Sequence, residues 1–192
     1  MDKLKAALSF GGILTEENIN RIIKHFEEKT VKANEHFLNL SNISNEIGFV
    51  SKGILRCYSI DKQGEEVTKY FIRQNQFAVD LESYYSIKPA SSGIKAIADS
   101  KLFTIKKSIW EKLSREVSNL YILTKSLSEA HLLNKIKDND FLNFGTAKDK
   151  YEEFVRRYPD LALQVPQKDI ASYLKITPQS LSRIRNELVK KK

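Results

Sequence analysis

Gln179, Ser180 and Arg183 lie close together near the end of a 192-residue chain, directly after Pro178. Their side chains are of the kind that reads nucleic-acid bases: an amide pairs bidentately with adenine, a guanidinium with guanine, and a hydroxyl with either. These four residues are the candidate base contacts. Around them stand Lys168, Thr177, Ser182, Arg185, Lys190, Lys191 and Lys192, cations and hydroxyls suited to phosphate oxygens, which supply affinity and register without sequence information. From residue 167 onward seven basic residues face Asp169 and Glu187, a local net charge of +5 within a total of +8. Most of the excess is therefore at this end, the pattern expected for a polyanionic partner.

Holding those side chains in place takes two helices. Ile170, Ala171 and Leu174 share one face of a helix opening near Gln167, and Leu181, Ile184 and Leu188 share a face of a second. Thr177 is a good N-cap, and Pro178 fits the first helical position, where its missing N–H would have had no partner. Ala171 is small enough for a close crossing, while Ile176, Leu181 and Ile184 fill the angle between the helices, as a helix-turn-helix requires. The N-terminal residues of such a second helix are the ones that reach base edges. The plain alternative is a basic helical hairpin whose Arg183 and Arg185 are simply solvated.

The rest of the chain must support that pair. With 41% hydrophobic and 29% charged residues the composition is globular, and the length suits one large domain or two small ones. No apolar run approaches the eighteen or so residues of a membrane span. The apolar run at 6–14 is followed by Thr15-Glu16-Glu17 instead of a small-residue cleavage site, so a cytoplasmic protein without a membrane partner is expected. Ile19, Ile22, Ile23 and Phe26 predict a short helix over 18–26. Short β-branched and aromatic segments then predict strands at 36–40, 47–50, 54–60, 67–72, 94–98 and 102–105, separated by turn residues. That spacing is the signature of an antiparallel β-roll or jelly roll, which with the helices makes an α+β fold.

Helical periodicity returns from residue 108 to 137 and predicts one long helix. It is longer than a small roll can cover, so its stripe of Leu113, Val117, Leu120, Leu123, Leu127 and Ala130 is expected to pair with the same helix of a second subunit. Tyr121, Ile122 and Leu132 widen that face. Residues 138–146 break the period and are expected to form a hinge. The organisation expected is thus a roll with a short N-terminal helix at 1–107, a dimerisation helix at 108–137, the hinge, and a helix-turn-helix domain at 147–192.

In this order, the roll, long helix and terminal helix pair resemble the cyclic-AMP receptor and fumarate-nitrate regulator (Crp/Fnr) superfamily of bacterial transcription factors. Asp169-Ile170-Ala171-Ser172-Tyr173-Leu174 and Ser180-Leu181-Ser182-Arg183-Ile184 carry the resemblance, with Gly53-Ile54-Leu55-Arg56, the stretch from Asp61 to Glu66, and Asn34-Glu35 in the roll. It implies a homodimeric regulator that binds double-stranded DNA at a near-palindromic operator, with RNA polymerase as a further candidate partner and Arg183 at the base-contacting arginine position.

Three departures stand out. Lys175 replaces the usual turn glycine, and the chain leaves no room for a C-terminal wing after Leu188. The effector stretch, in which Asp80, Glu82, Ser91, Ser92 and Gly93 occupy the pocket positions, offers no arginine for a phosphate. A small-molecule effector, if one exists, is therefore not expected to be cyclic AMP. A single cysteine, Cys57, reads as a small buried hydrophobe and His36, a lone histidine on a strand, as a packing or surface residue. With three scattered histidines and no nucleophile–base set, neither a metal, a cofactor nor an enzyme is expected. The competing reading is a ligand-binding signalling module whose C-terminal helices contact a protein partner.

Overall fold

A computed structural model of the chain describes residues 1–189. Eight strands follow one another: β1 (Glu27–Val31), β2 (His36–Leu38), β3 (Glu46–Lys52), β4 (Leu55–Ile60), β5 (Glu66–Ile72), β6 (Phe77–Ala78), β7 (Gly93–Ala96) and β8 (Ser100–Lys106). They form two four-stranded antiparallel sheets, ordered β1-β8-β3-β6 and β2-β7-β4-β5. Val31, Val50 and Leu102 of the first sheet meet Leu55, Cys57, Ile72 and Ile94 of the second in a shared buried core. All six expected strands are present. The two that sequence periodicity did not reveal are β1, whose Glu-Glu-Lys-Thr lacks an apolar alternation, and the two-residue β6. Gly53 turns β3 into β4 at φ +101°, and a Cβ there would lie 2.2 Å from the Ser100 hydroxyl, so no side chain fits.

Helices α1 (Asp2–Leu8), α2 (Glu16–Ile23), α3 (Leu81–Ser86) and α4 (Lys107–Glu116) flank the sheets. Thr15 caps α2 by accepting from the Asn18 amide, and Leu8, Ile22, Phe26, Trp110 and Leu113 join in a second core.

The single helix expected at 108–137 is two. After α4, Val117 is extended and Asn119 left-handed at φ +66°, and only then does α5 (Leu120–Asn143) begin. Asparagine tolerates that conformation better than most residues, so the apolar period continues across a break it does not register. Nor is 138–146 a hinge throughout. Residues 138–143 belong to the last turns of α5, and the helix ends only at Phe144-Gly145.

The expected dimer stripe is also corrected. Leu113, Val117, Leu120 and Leu123 are buried in their own subunit's core, Leu127 packs partly against it, and Ala130 lies half-exposed. A second stripe faces outward instead: Tyr121, Ile122, Leu132, Leu133 and Ile136 are all at least half exposed. Periodicity marks both faces as apolar and cannot say which one faces inward.

Four helices complete the fold: α6 (Ala147–Arg157), α7 (Pro159–Gln164), α8 (Gln167–Leu174) and α9 (Pro178–Val189). A Thr146–Asp149 capping box starts α6. This unit does not hang free of the roll. Phe154, Tyr173 and Leu174 share a core with Ile54, Tyr70 and Phe71 from the β4–β5 side of the second sheet.

Candidate nucleic-acid interface

Ile170, Ala171, Leu174 and Leu181 have no exposed surface at all, and Ile184 has little. These apolar residues lock α8 against α9, with Ile176 and Leu188 partly buried beside them. The turn runs through Lys175 at φ 57° and ψ 43°, the left-handed geometry expected at the glycine position. For a residue with a Cβ this costs about 1–2 kcal/mol. Compensation is visible: the Ile176 amide donates to the Ala171 carbonyl at 3.0 Å, and the Lys175 ammonium donates to Asn143 Oδ1 at 2.9 Å. Thr177 caps α9, accepting from the Ser180 amide at 3.1 Å while its hydroxyl donates to Ser180 Oγ.

The outer face of α9 is open. Pro178, Gln179, Ser182 and Arg183 are exposed and, with Gln167, Asn186 and Glu187, border a shallow depression of about 780 Å³. Arg183 enters no ion pair among the described residues. Ser180 departs from expectation, being half-buried and engaged in the cap. Among the phosphate candidates, Lys168 is exposed at the start of α8, Thr177 is exposed but its hydroxyl serves the cap, and Arg185 lies half-exposed on the flank of α9. Lys190, Lys191 and Lys192 lie outside the described residues.

How this unit is held was not foreseen. Arg56 on β4 is 4% exposed, and its guanidinium donates to Glu66 of β5 and to Asp169 of α8. Lys95 reaches the same Glu66 at 3.0 Å, and the Thr68 amide donates to Ser172 Oγ at 2.9 Å. On the other side Asp138 of α5 accepts from the Tyr158 and Tyr173 hydroxyls, at 2.5 and 3.2 Å, and pairs with Arg157. Burial, with Asp138 beside them, pushes both phenols well above their ordinary range, so they remain donors. Arg56 and Asp169 both appear in the motifs quoted above; the one hint was an arginine in a β-branched strand context.

The expected effector residues do not gather. Asp80 caps α3 by accepting from the Ser83 amide, Glu82 and Ser91 are exposed, and Ser92 is buried, its hydroxyl accepting from Lys69 at 2.8 Å. Any Cβ at Gly93 would strike the Tyr58 ring at 2.5 Å. None of the five borders the depression on α9 or the smaller cleft between β5, α5 and α8. His36 bonds the Tyr58 hydroxyl at 2.8 Å; burial, then Lys95 and Arg56, lowers its pKa. Cys57 is buried, which pushes its thiol up. No described helix is long and apolar enough to cross a membrane.

No family model and no curated protein sequence matches this chain, but solved structures do. FixK2 from Bradyrhizobium japonicum superimposes with a TM-score of 0.76 at 18% identity, over 86% of this chain and 85% of that one. A transcriptional regulator of the crp/fnr family from Eubacterium rectale gives 0.71 at 17% identity, over 93% and 86%. The Thermus thermophilus Catabolite Activator Protein gives 0.58 at 16% identity, over 96% and 87%. At these identities the shared property is the fold.

Proposed function

We propose that this chain, which has the fold of Crp/Fnr-family regulators, is a sequence-specific DNA-binding transcription regulator that works as a homodimer. One observation carries the reading: α9 docks on α8 through a closed apolar core, yet presents Gln179, Ser182 and Arg183 outward with no partner for the guanidinium among the described residues. In this reading Gln179 and Arg183 contact bases, with Pro178 and Ser180 at the helix start. Lys168, Thr177, Ser182 and Arg185 contact phosphates.

The dimer seam is the exposed stripe of α5. Ile122, Ser126, Glu129, Leu133, Ile136 and Asp140 alternate by four and three residues, which keeps a seam facing its symmetry mate. Leu133→Asp should leave the monomer folded and dissociate the dimer in sedimentation, because Leu133 is exposed within the subunit.

The two strand orders support reading the roll as a jelly-roll sensor. Asp80, Glu82, Ser91, Ser92 and Gly93 offer no arginine for a cyclic phosphate, the Lys69 ammonium that reaches Ser92 is a single cation, and Asp80 and Glu82 add negative charge, so in this reading the sensor does not take cyclic AMP; a micromolar dissociation constant by calorimetry would refute this. RNA polymerase is a partner only if the regulator activates, which transcription in vitro decides.

Selection of bound fragments from a random DNA pool tests the reading. The expected product is a near-palindrome with half-site centres about 34 Å apart. A pool that stays random while the protein is folded and dimeric would overturn the assignment and favour a protein partner for α9.

A further inference from the structure

Gln179, Ser182, Arg183 and Asn186 stand at positions i, i+3, i+4 and i+7 of α9, and all four are exposed and border the open depression. At about 100° per residue they span roughly 100° of the helix surface. That stripe lies opposite Leu181, Ile184 and Leu188, which pack α9 onto the rest of the helical unit. Asn186 points almost straight away from the core. The third helix of a homeodomain reads a major groove with a row of the same spacing.

Asn186 contributes nothing visible to the fold. Its side chain makes no hydrogen bond among the described residues, and asparagine is a poor helix former because its amide competes with backbone hydrogen bonds. The two flanks of the row differ in charge: Arg185 on one side suits phosphates, and Glu187 on the other repels them. Between them Asn186 carries a donor and an acceptor side by side, the pair that matches N6 and N7 of adenine. From Arg183 to Asn186 the helix rises about 4.5 Å, close to one base-pair step of about 3.4 Å.

We propose that Asn186 is a third base reader, taking adenine in the base pair next to the one that Arg183 reads. This rests on α9 being the DNA-reading helix and adds its depth of engagement. The helix lies along the major groove through its third turn, instead of entering by the first turn alone.

The test is selection from a random DNA pool with the full chain, comparing the wild type with Asn186→Ala and Asn186→Arg. Asn186→Ala should keep or raise the melting temperature and lose the preference at one position of each half-site while the others stay. Its binding to the wild-type site should fall at least about fivefold, with random-DNA binding and the salt slope unchanged because no phosphate contact is lost. Asn186→Arg should turn the same position toward guanine, which no purely structural role of Asn186 would produce. A wild-type motif that Asn186→Ala selects unchanged overturns the proposal and leaves the DNA reading standing. So does a loss spread equally over selected and random DNA, which makes Asn186 a phosphate contact. A wild-type pool that stays random overturns both.

Discussion

The two helices of the C-terminal pair use their polar residues in opposite ways. On α8, Asp169, Ser172 and Tyr173 are all engaged, bonded to Arg56, to the Thr68 amide and to Asp138. On α9, Gln179, Ser182 and Arg183 face outward over an open depression. The first helix is fastened to the roll by charge and the second is left free for a partner. A charge that is buried and paired sets orientation, whereas an exposed charge without a partner is available for recognition. Arg56 and Arg183 are chemically the same residue, and only their surroundings separate these roles.

Substitutions on the two sides should therefore fail in different assays. Removing the anchor is the largest expected effect: Arg56→Met strips Asp169 of its buried cation and leaves Glu66 with Lys95 alone, and should cost about 3–5 kcal/mol of stability, measured by urea denaturation. A loss below 1 kcal/mol would mean that the apolar contacts alone seat α8. Next, Arg183→Ala should weaken binding to selected DNA by about 1–3 kcal/mol while leaving thermal stability and random-DNA binding nearly unchanged. Equal losses on selected and random DNA would move Arg183 to the phosphate group.

The joint also titrates. Lys135 of α5, buried against the face of Tyr70 and near 7 when folded against an ordinary 10.5, is charged in both states below pH 7, where the whole penalty of burying it applies. Between pH 7 and 10.5 the folded chain releases the proton and the unfolded chain keeps it, so stability should rise with pH across that window. Burial lowers His131 as well, which adds a loss on acidification below its usual range. Lys135→Met should flatten the rise between pH 7 and 9 and stabilise the protein at pH 6 by about 1–3 kcal/mol; equal melting temperatures for the two proteins at pH 6 would remove the argument for a desolvated ammonium. The smallest effect expected is on Lys168→Ala, which should lower the salt slope of DNA binding by about one and leave sequence preference alone.

The helix pair was legible because each local signal agrees with the next: the Thr177 cap, Pro178 at the first position, and Leu181 and Ile184 at helical spacing. Even the strained turn at Lys175 could be anticipated from the residue that replaces glycine. The strands were visible for the same reason, except β1, whose charged edge has no alternation to read. What periodicity could not supply was direction and continuity. It marked Leu120 and Leu123 as apolar without saying that they face their own roll, and it passed over the left-handed Asn119 that divides the helix. The anchoring network joins residues 113 positions apart, Arg56 and Asp169, and no local pattern reports a contact at that separation.

One geometric consequence concerns the operator. Helix α5 runs 24 residues from the roll's core to the base of the helical unit that carries α9, a shaft of about 36 Å at 1.5 Å per residue. Asp138 clamps its far end to Tyr158 and Tyr173. In a dimer seamed along this shaft, little remains that can flex to rescue a misphased site. One base pair inserted between half-sites rotates the second target by roughly 35° around the duplex, and a rigidly mounted pair of readers would lose one of the two.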